Sequence, residues 1–344
     1  MSQRRRNLVE TATKRQPNPM KHVPEDIIVE ILSRLPVKSL CRFKCVSKVW
    51  CNLMSSSQFV KLQLNRLELD YESLVSGHEV NLTAKESLFG LKGGRGAFME
   101  FYFGNRRVLG SCNGLLCSTF APPKTIALVN PSTRETKTIF SEHGPQVESL
   151  LVTGFGYDAL HDDYKVVKID GTVDVYSLKK GAWSCIGDFP HHIIGDAVHL
   201  NGVIHWITRY GSETALSITA LDLTKQEFHT VSLADLVPVQ LYAMGGNLCV
   251  GYYRRGQAVY EFWVMEIYGK EESWKRIGLT CRTMPSVLDL PRSKQVLIMT
   301  EGRMFIYNHR NGSIKEVNTG QIPMGYVQLW LNSGFSYEDS LVAL

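Results

Sequence analysis

The stretch Gly154-Phe155-Gly156-Tyr157-Asp158 and the turn after it, His161-Asp162-Asp163, are where residue types and spacing first suggest chemistry. Two glycines one residue apart can begin a phosphate-binding loop. The dinucleotide pattern, however, needs a third glycine and a following helix, and Gly156 is followed by neither. An imidazole beside two carboxylates can hold a divalent cation. Here the trio lies between Tyr157 and Tyr164 in a stretch that reads as a hairpin turn, where aspartate is favoured for turn geometry, so a turn is the expectation and a metal is not. No serine-nucleophile, HExxH or P-loop pattern occurs. The eight cysteines are Cys41, Cys45, Cys51, Cys112, Cys117, Cys185, Cys249 and Cys281. They form no CxxC pair, and no second pair completes a tetrahedral site with Cys41 and Cys45. Free, mostly buried thiols in a reducing compartment are expected.

These residues sit in a chain of 344 residues, 44% apolar, long enough for about two domains. Its formal charge of +5 is concentrated at the start: residues 1–21 hold Arg4, Arg5, Arg6, Lys14, Arg15 and Lys21 against Glu10 alone, and the remainder is balanced. That distribution argues against a nucleic-acid partner and for a solvated, disordered basic tail, with the arginine triplet as a nuclear-localisation candidate. No long apolar run marks a membrane span, and the polar N-terminus lacks a signal-peptide core. A cytoplasmic protein with access to the nucleus is expected, with no membrane partner and no cofactor.

Two periodicities divide the rest. Over residues 22–69 it is helical. Pro24 suits a first helical position, Glu25 and Asp26 suit the positive end of a helix dipole, and Ile27, Ile28, Ile31, Leu32 and Leu35 recur on one face up to Pro36. A second helix is expected over Val37 to Lys44 and a third from Ser47, carrying Val49, Trp50, Leu53 and Met54. Three short helices bury little, so the module must dock, either on a partner or on its own downstream domain.

From about residue 100 short alternating runs are broken by Asn, Gly, Asp and Lys turns. Strand-turn-strand units line up at Asn130, Ser177, Leu223, Ile267 and Asn308, spaced by 47, 46, 44 and 41 residues. A second hairpin type lies between them, in SCNGLLCSTF, FGYDALHDDYKVVKI, HLNGVIHWIT, MGGNLCVGYY and SKQVLIMTEG. Four strands per 40–50 residues is the period of a β-propeller, with six blades as the expectation. The last blade would be composite, joining SLVSGHEVNL near residue 73 to YVQLWLNSG near the C-terminus and so removing the open edges. Trp183, Phe228 and Trp274 recur in the last strand of their units and should fill space between blades. The fold class is therefore α+β multidomain, a small three-helix unit followed by an all-β propeller over 70–344.

Propellers bind partners on the face formed by loops joining second to third strands and one blade to the next. That register selects Lys124, His191, His192, Arg209, Tyr210, Arg254 and Arg255, a basic rim suited to an acidic partner surface.

The line VPEDIIVEILSRLPVKSLCRFKCVSKVWCNLMSSSQFVKLQL resembles an F-box, with Val23 where that family has leucine. SCNGLLC, NPSTRE, GFGYDALHDDYKVVKI and HLNGVIHWI, with the ending YEDSLVAL, resemble the plant F-box-associated interaction domain, which occurs in S-locus F-box proteins and in F-box proteins that limit immune-receptor levels. The resemblance implies a non-catalytic substrate receptor of an SCF ubiquitin ligase. Its F-box would bind a Skp-type adaptor, and through it a cullin-RING ligase, while its propeller holds an unidentified protein substrate. Carried over, the adaptor-binding positions are Pro24, Ile28, Leu32, Leu35, Pro36, Val37, Leu40 and Trp50; for some of these, Leu40 and Trp50 especially, the alternative role is to hold the three helices together. The alternative is a propeller enzyme or carbohydrate-binding protein with an incidental helical cap, since carboxylate pairs for glycoside chemistry have no fixed spacing in sequence.

Overall fold

The computed structural model describes residues 23–66, 80–83, 87–91, 99–102, 106–120, 125–140, 152–189, 191–210, 216–233, 238–254, 259–290, 294–317, 335–337 and 340–344. It opens with four helices where the periodicity suggests three: α1 (Glu25–Leu32), α2 (Val37–Phe43), α3 (Lys48–Ser55) and α4 (Ser57–Arg66). Pro24 and Pro36 precede α1 and α2, and Ser47 caps α3 by accepting from the Trp50 N–H at 3.1 Å. The fourth helix arises at Ser56. Its extended backbone breaks α3, and its hydroxyl then accepts from the Phe59 N–H at 3.2 Å. Arg66, the last residue of α4, reaches back to the end of α1, donating to the Glu30 carbonyl at 3.0 Å and pairing with the Glu30 carboxylate.

The strands form six four-stranded sheets. After the helices come β1 (Val80–Thr83), β2 (Ser87–Leu91) and β3 (Met99–Tyr102). Five blades of consecutive strands follow. The first is β4 (Arg106–Cys112), β5 (Leu115–Phe120), β6 (Thr125–Asn130) and β7 (Glu135–Phe140). The second is β8 (Val152–Asp158), β9 (Asp163–Asp170), β10 (Thr172–Ser177) and β11 (Ala182–Asp188). The third is β12 (His191–Leu200), β13 (Val203–Tyr210), β14 (Leu216–Asp222) and β15 (Glu227–Val231). The fourth is β16 (Pro238–Met244), β17 (Asn247–Arg254), β18 (Val259–Met265) and β19 (Trp274–Cys281). The fifth is β20 (Ser286–Leu290), β21 (Gln295–Thr300), β22 (Arg303–Asn308) and β23 (Ser313–Val317).

The sixth sheet is composite. A C-terminal strand, β24 (Phe335–Tyr337), pairs with β1, and the order is β24-β1-β2-β3. The first strands of the blades touch in succession around the ring, β4 to β8, β12, β16, β20 and β24, and β24 returns to β4. The ends of the chain thus close the propeller and leave no open edge to the ring. YVQLWLNSG, expected to contribute to this blade, lies outside the described residues; the described C-terminal part of the ladder is Phe335–Tyr337, which follows it. SLVSGHE also lies outside them, while Val80, Asn81 and Leu82 of the same expected segment lie in β1.

The five repeat positions all fall at the third strand of a blade, with Asn130, Ser177 and Asn308 as its last residue and Leu223 and Ile267 just beyond it. Tight turns link first to second strands. At Asn113-Gly114 and Asn201-Gly202 both residues have positive φ, the backbone that turns a hairpin with the right twist and that an Asn-Gly pair adopts most cheaply. Of the aromatics expected between blades, Trp274 reaches the preceding blade, its indole N–H donating to the Ser232 carbonyl at 2.8 Å, whereas Trp183 lies against Tyr176 of its own blade at 5.3 Å and Phe228 is partly exposed. No helix among the described residues is long and apolar enough to cross a membrane.

Candidate functional site

The two glycines of GFGYD serve close packing. A Cβ on Gly156 would come within 2.3 Å of the His199 ring, and one on Gly154 within 2.8 Å of Ile204. Both neighbours belong to the third blade, so the glycines let two blades approach.

The Asp158 to Asp163 turn is a polar clamp. Asp158 is fully buried and accepts from Lys165 Nζ at 2.7 Å, from the Thr224 hydroxyl of the next blade at 2.7 Å, and from the backbone N–H groups of Leu160 and His161. Burial alone would raise its pKa, but these donors outweigh it and hold the carboxyl well below the usual range. Asp162 faces the helical module instead. It accepts from the Ser57 hydroxyl at 2.6 Å, pairs with Lys61 at 2.9 Å and accepts a hydrogen bond from the Tyr157 hydroxyl. Against burial, those donors lower it to about 2. Asp163 accepts from the Ser177 hydroxyl and the Lys179 N–H. The His161 imidazole lies against the Asp158 carboxylate, Nδ1 to Oδ2 2.8 Å, so each side chain of the trio that suggested a metal has a structural partner. Among the described residues no group of three or more His, Cys, Asp or Glu is placed to hold a metal ion, and all eight cysteines are free thiols.

The C-terminal tail completes the junction. Asn130, buried at the end of β6, donates to the carbonyls of Ser340 at 3.1 Å and Val342 at 2.7 Å, while its own oxygen accepts from the N–H groups of Ser132 and Thr133. Asn130 of NPSTRE thus holds Ser340 and Val342 of the tail. Leu341 and Val342 then join one apolar cluster that runs from Leu32, Val37, Leu40, Met54, Phe59, Val60 and Leu64 of the helices to Leu115, Leu128, Phe155 and Val166 of the first two blades. A cavity of about 710 Å³ remains beside it, lined by Lys61, Leu64, Tyr157, Asp162, Val342 and Leu344 among others.

This cluster decides which helical residues are accessible. Leu32, Val37 and Leu40 are 3%, 1% and 0% exposed in the free chain. Ile28 and Leu35 are half-buried against the cluster, and Trp50 is half-buried with its ring edge-on to Phe43 at 5.8 Å. Pro24 and Pro36 are exposed. The open apolar surface belongs largely to other residues. Ile27 and Ile31, four apart on α1, are 45% and 55% exposed and Val23 just before the helix 53%, and Val46 and Val49, before and within the first turn of α3, more so. Helical spacing marked Ile27 and Ile31 as apolar, but nothing in it separated their face from that of Ile28 and Leu32.

The helices dock on the propeller face made by first-to-second and third-to-fourth strand turns, where Asn113, Asp162 and Lys179 lie. The rim residues lie at the other end of the strands. His191 and His192 begin β12 and pair in register with Tyr210 and Arg209, which end β13; the His191 and Tyr210 rings are 5.4 Å apart. Arg254 ends β17 at the same face. Lys124 and Arg255, in loops of that face by sequence, lie outside the described residues.

The helical unit thus sits on one face of the propeller, and part of its own apolar surface stays exposed. The comparisons give the family. The F-box domain model matches residues 20–62, and the F-box associated beta propeller domain model matches residues 99–344, so the chain belongs to the F-box proteins carrying that propeller. It is similar to an F-box/kelch-repeat protein of Arabidopsis thaliana, 27% identical across 85% of this chain and 89% of that one. It is also similar to the F-box protein CPR1 of the same plant, 27% identical across 75% of this chain and 73% of that one. Among solved structures, a chain of the nidogen/laminin complex aligns over 76% of this chain and 99% of its own, with 11% identity and a TM-score of 0.48, which says nothing about function.

Proposed function

We propose that this chain is a substrate receptor of an SCF-type ubiquitin ligase. Its F-box binds a Skp-type adaptor and through it a cullin-RING ligase, and its propeller presents the protein to be modified. The observation that carries the reading is the division of the apolar helix faces: one face is buried against the chain's own propeller and tail, while Val23, Ile27 and Ile31 stand open. An open apolar stripe on a helix is a surface that a partner's groove covers. The receptor performs no chemistry. It raises the local concentration of substrate lysines near the charged ubiquitin-conjugating enzyme, and two binding sites on one rigid body do that by geometry. The propeller fastened to the F-box through Asp162, Asn130 and the shared apolar cluster supplies such a body. Its working place is the cytoplasm and nucleus.

The test is co-expression of the full chain with a Skp-type adaptor, followed by addition of a cullin-RING subunit, ubiquitin and the conjugating cascade. Co-elution of chain and adaptor, and adaptor-dependent attachment of ubiquitin to material bound by the chain, are expected. A chain that elutes alone and folded would refute the reading.

A further inference from the structure

The propeller face opposite the F-box carries an exposed apolar set. Tyr210, Val239, Tyr253 and Met284 are 55%, 41%, 39% and 53% exposed. They come from the third and fourth blades and the link to the fifth: Tyr210 ends β13, Val239 lies at the start of β16, Tyr253 is one residue from the end of β17, and Met284 sits in the link from β19 to β20. All four therefore share the end where second strands run into third strands and one blade into the next. Their blades are neighbours in the ring, since β13 and β12 touch β16, and β16 touches β20. The Tyr253 hydroxyl also donates to the Arg282 carbonyl at 3.3 Å, tying the fourth blade to the link beyond it.

Charge along this rim is uneven. Over the third to fifth blades His192, Arg209 and Arg282 are exposed, and Arg254 ends β17. Among the described residues two acids of that sector are engaged: Glu301 accepts from the Arg282 N–H at 2.6 Å, and Glu316 is paired with Arg303. The second blade is the reverse, its rim edge carrying exposed Asp170 and Asp188, which both lie opposite Thr172 in the ladder. A ligand crossing the third to fifth blades meets aromatic and thioether anchors flanked by guanidinium groups, and a basic ligand is drawn instead towards the second blade.

We infer that the rim of the third to fifth blades binds an acidic segment of a target protein that carries at least one large apolar side chain; the inference rests on the receptor reading and specifies its substrate end. The apolar side chain is covered by Tyr210, Tyr253 and Met284, and the carboxylates pair with Arg209 and Arg282. The segment's acidity sets its polarity across the face, away from Asp170 and Asp188.

The experiment uses the full chain co-purified with its adaptor and three series of short fluorescein-labelled synthetic peptides. The first places Asp and Glu around a central Phe or Leu, the second replaces the acids by Lys and Arg, and the third keeps the acids but replaces the apolar residue by Ser. Fluorescence anisotropy is read at low and high salt. The first series is expected to bind about tenfold or more tightly than either other, and to weaken with salt. The pair Tyr210→Ser with Met284→Ser, and the pair Arg209→Glu with Arg282→Glu, should each weaken it by about tenfold or more. Asp170→Asn with Asp188→Asn should not weaken it. Circular dichroism melting of each variant confirms the fold. Equal or tighter binding of the basic series, binding that survives both rim pairs, or no binding by the first series overturns the inference. So does a self-associated chain whose dimer is broken by the rim substitutions. Adaptor capture by the same samples separates the two readings. Capture retained with acidic peptides unbound refutes the rim alone, whereas loss of capture by the wild-type chain refutes the receptor.

Discussion

Replacing Ile27 and Ile31 by alanine distinguishes an adaptor-facing stripe from a structural one. Full burial of an isoleucine stabilises by about 1.5–3 kcal/mol, so the half of each side chain left exposed by folding is worth about 1 kcal/mol on docking. Each Ile→Ala should therefore weaken adaptor binding by roughly fivefold and the double variant by about thirtyfold, with the loss mainly in the dissociation rate. At 45% and 55% exposure these changes should leave the free chain's stability within about 0.5 kcal/mol of wild type. Leu32→Ala is the opposite case. At 3% exposure within the shared cluster it should cost about 2–5 kcal/mol of folding free energy. Well below the melting temperature its effect on adaptor affinity should be small. The assay is biolayer interferometry against an immobilised Skp-type adaptor, with urea unfolding of each free variant by tryptophan fluorescence. An Ile27→Ala, Ile31→Ala chain that binds the adaptor as wild type does would refute the reasoning, because the adaptor would then be covering some other surface.

Further outcomes follow from the interior. His205 is fully buried: its Nδ1–H donates to the Val198 carbonyl at 3.2 Å and its Nε2 accepts from the Tyr268 hydroxyl at 2.7 Å. Burial holds its pKa down, to about 4 from 6.5, so the folded state binds fewer protons than the unfolded one. Its contribution is complete above 6.5 and is lost as pH falls towards 4, amounting to about 2 kcal/mol between neutrality and pH near 5. Urea midpoints at the two pH values, wild type beside His205→Gln, should show the variant losing about 2 kcal/mol less on acidification; an equal loss would contradict the assignment. Gln63 on α4 is 1% exposed and neither polar atom of its amide has a hydrogen-bond partner. Gln63→Leu should therefore stabilise the chain by about 1 kcal/mol in the same unfolding assay. Asn130→Ala removes both donors to the tail and should cost about 2–3 kcal/mol. Limited proteolysis should then clip the last residues first, and a tail as resistant as wild type would argue against the clamp.

Much of the fold was legible because it is local. The third-strand positions from Asn130 to Asn308 are set by alternation between turns, and the Asn-Gly turns by backbone preference at two adjacent residues. The F-box line was readable because Pro24, Pro36 and Ser47 punctuate the helices within a few residues of where each begins. The fourth helix hid in MSSSQF, where Ser56 acts as a cap only because the backbone there is extended. What local pattern could not carry was the choice between partners distant in the chain. Ile27 and Leu32 have the same chemistry and belong to the same apolar run; only the seating of α4 and the tail against the first two blades buries one and leaves the other open. That seating depends on Ser57 with Asp162, 105 residues apart, and Asn130 with Ser340, 210 apart, and neither pair leaves a trace in spacing. The sequence by itself determined the two periodicities and hence a helical unit followed by propeller blades. The tertiary structure decided which apolar residues remain for a partner, because exposure is a property of what packs against a side chain and not of the side chain itself.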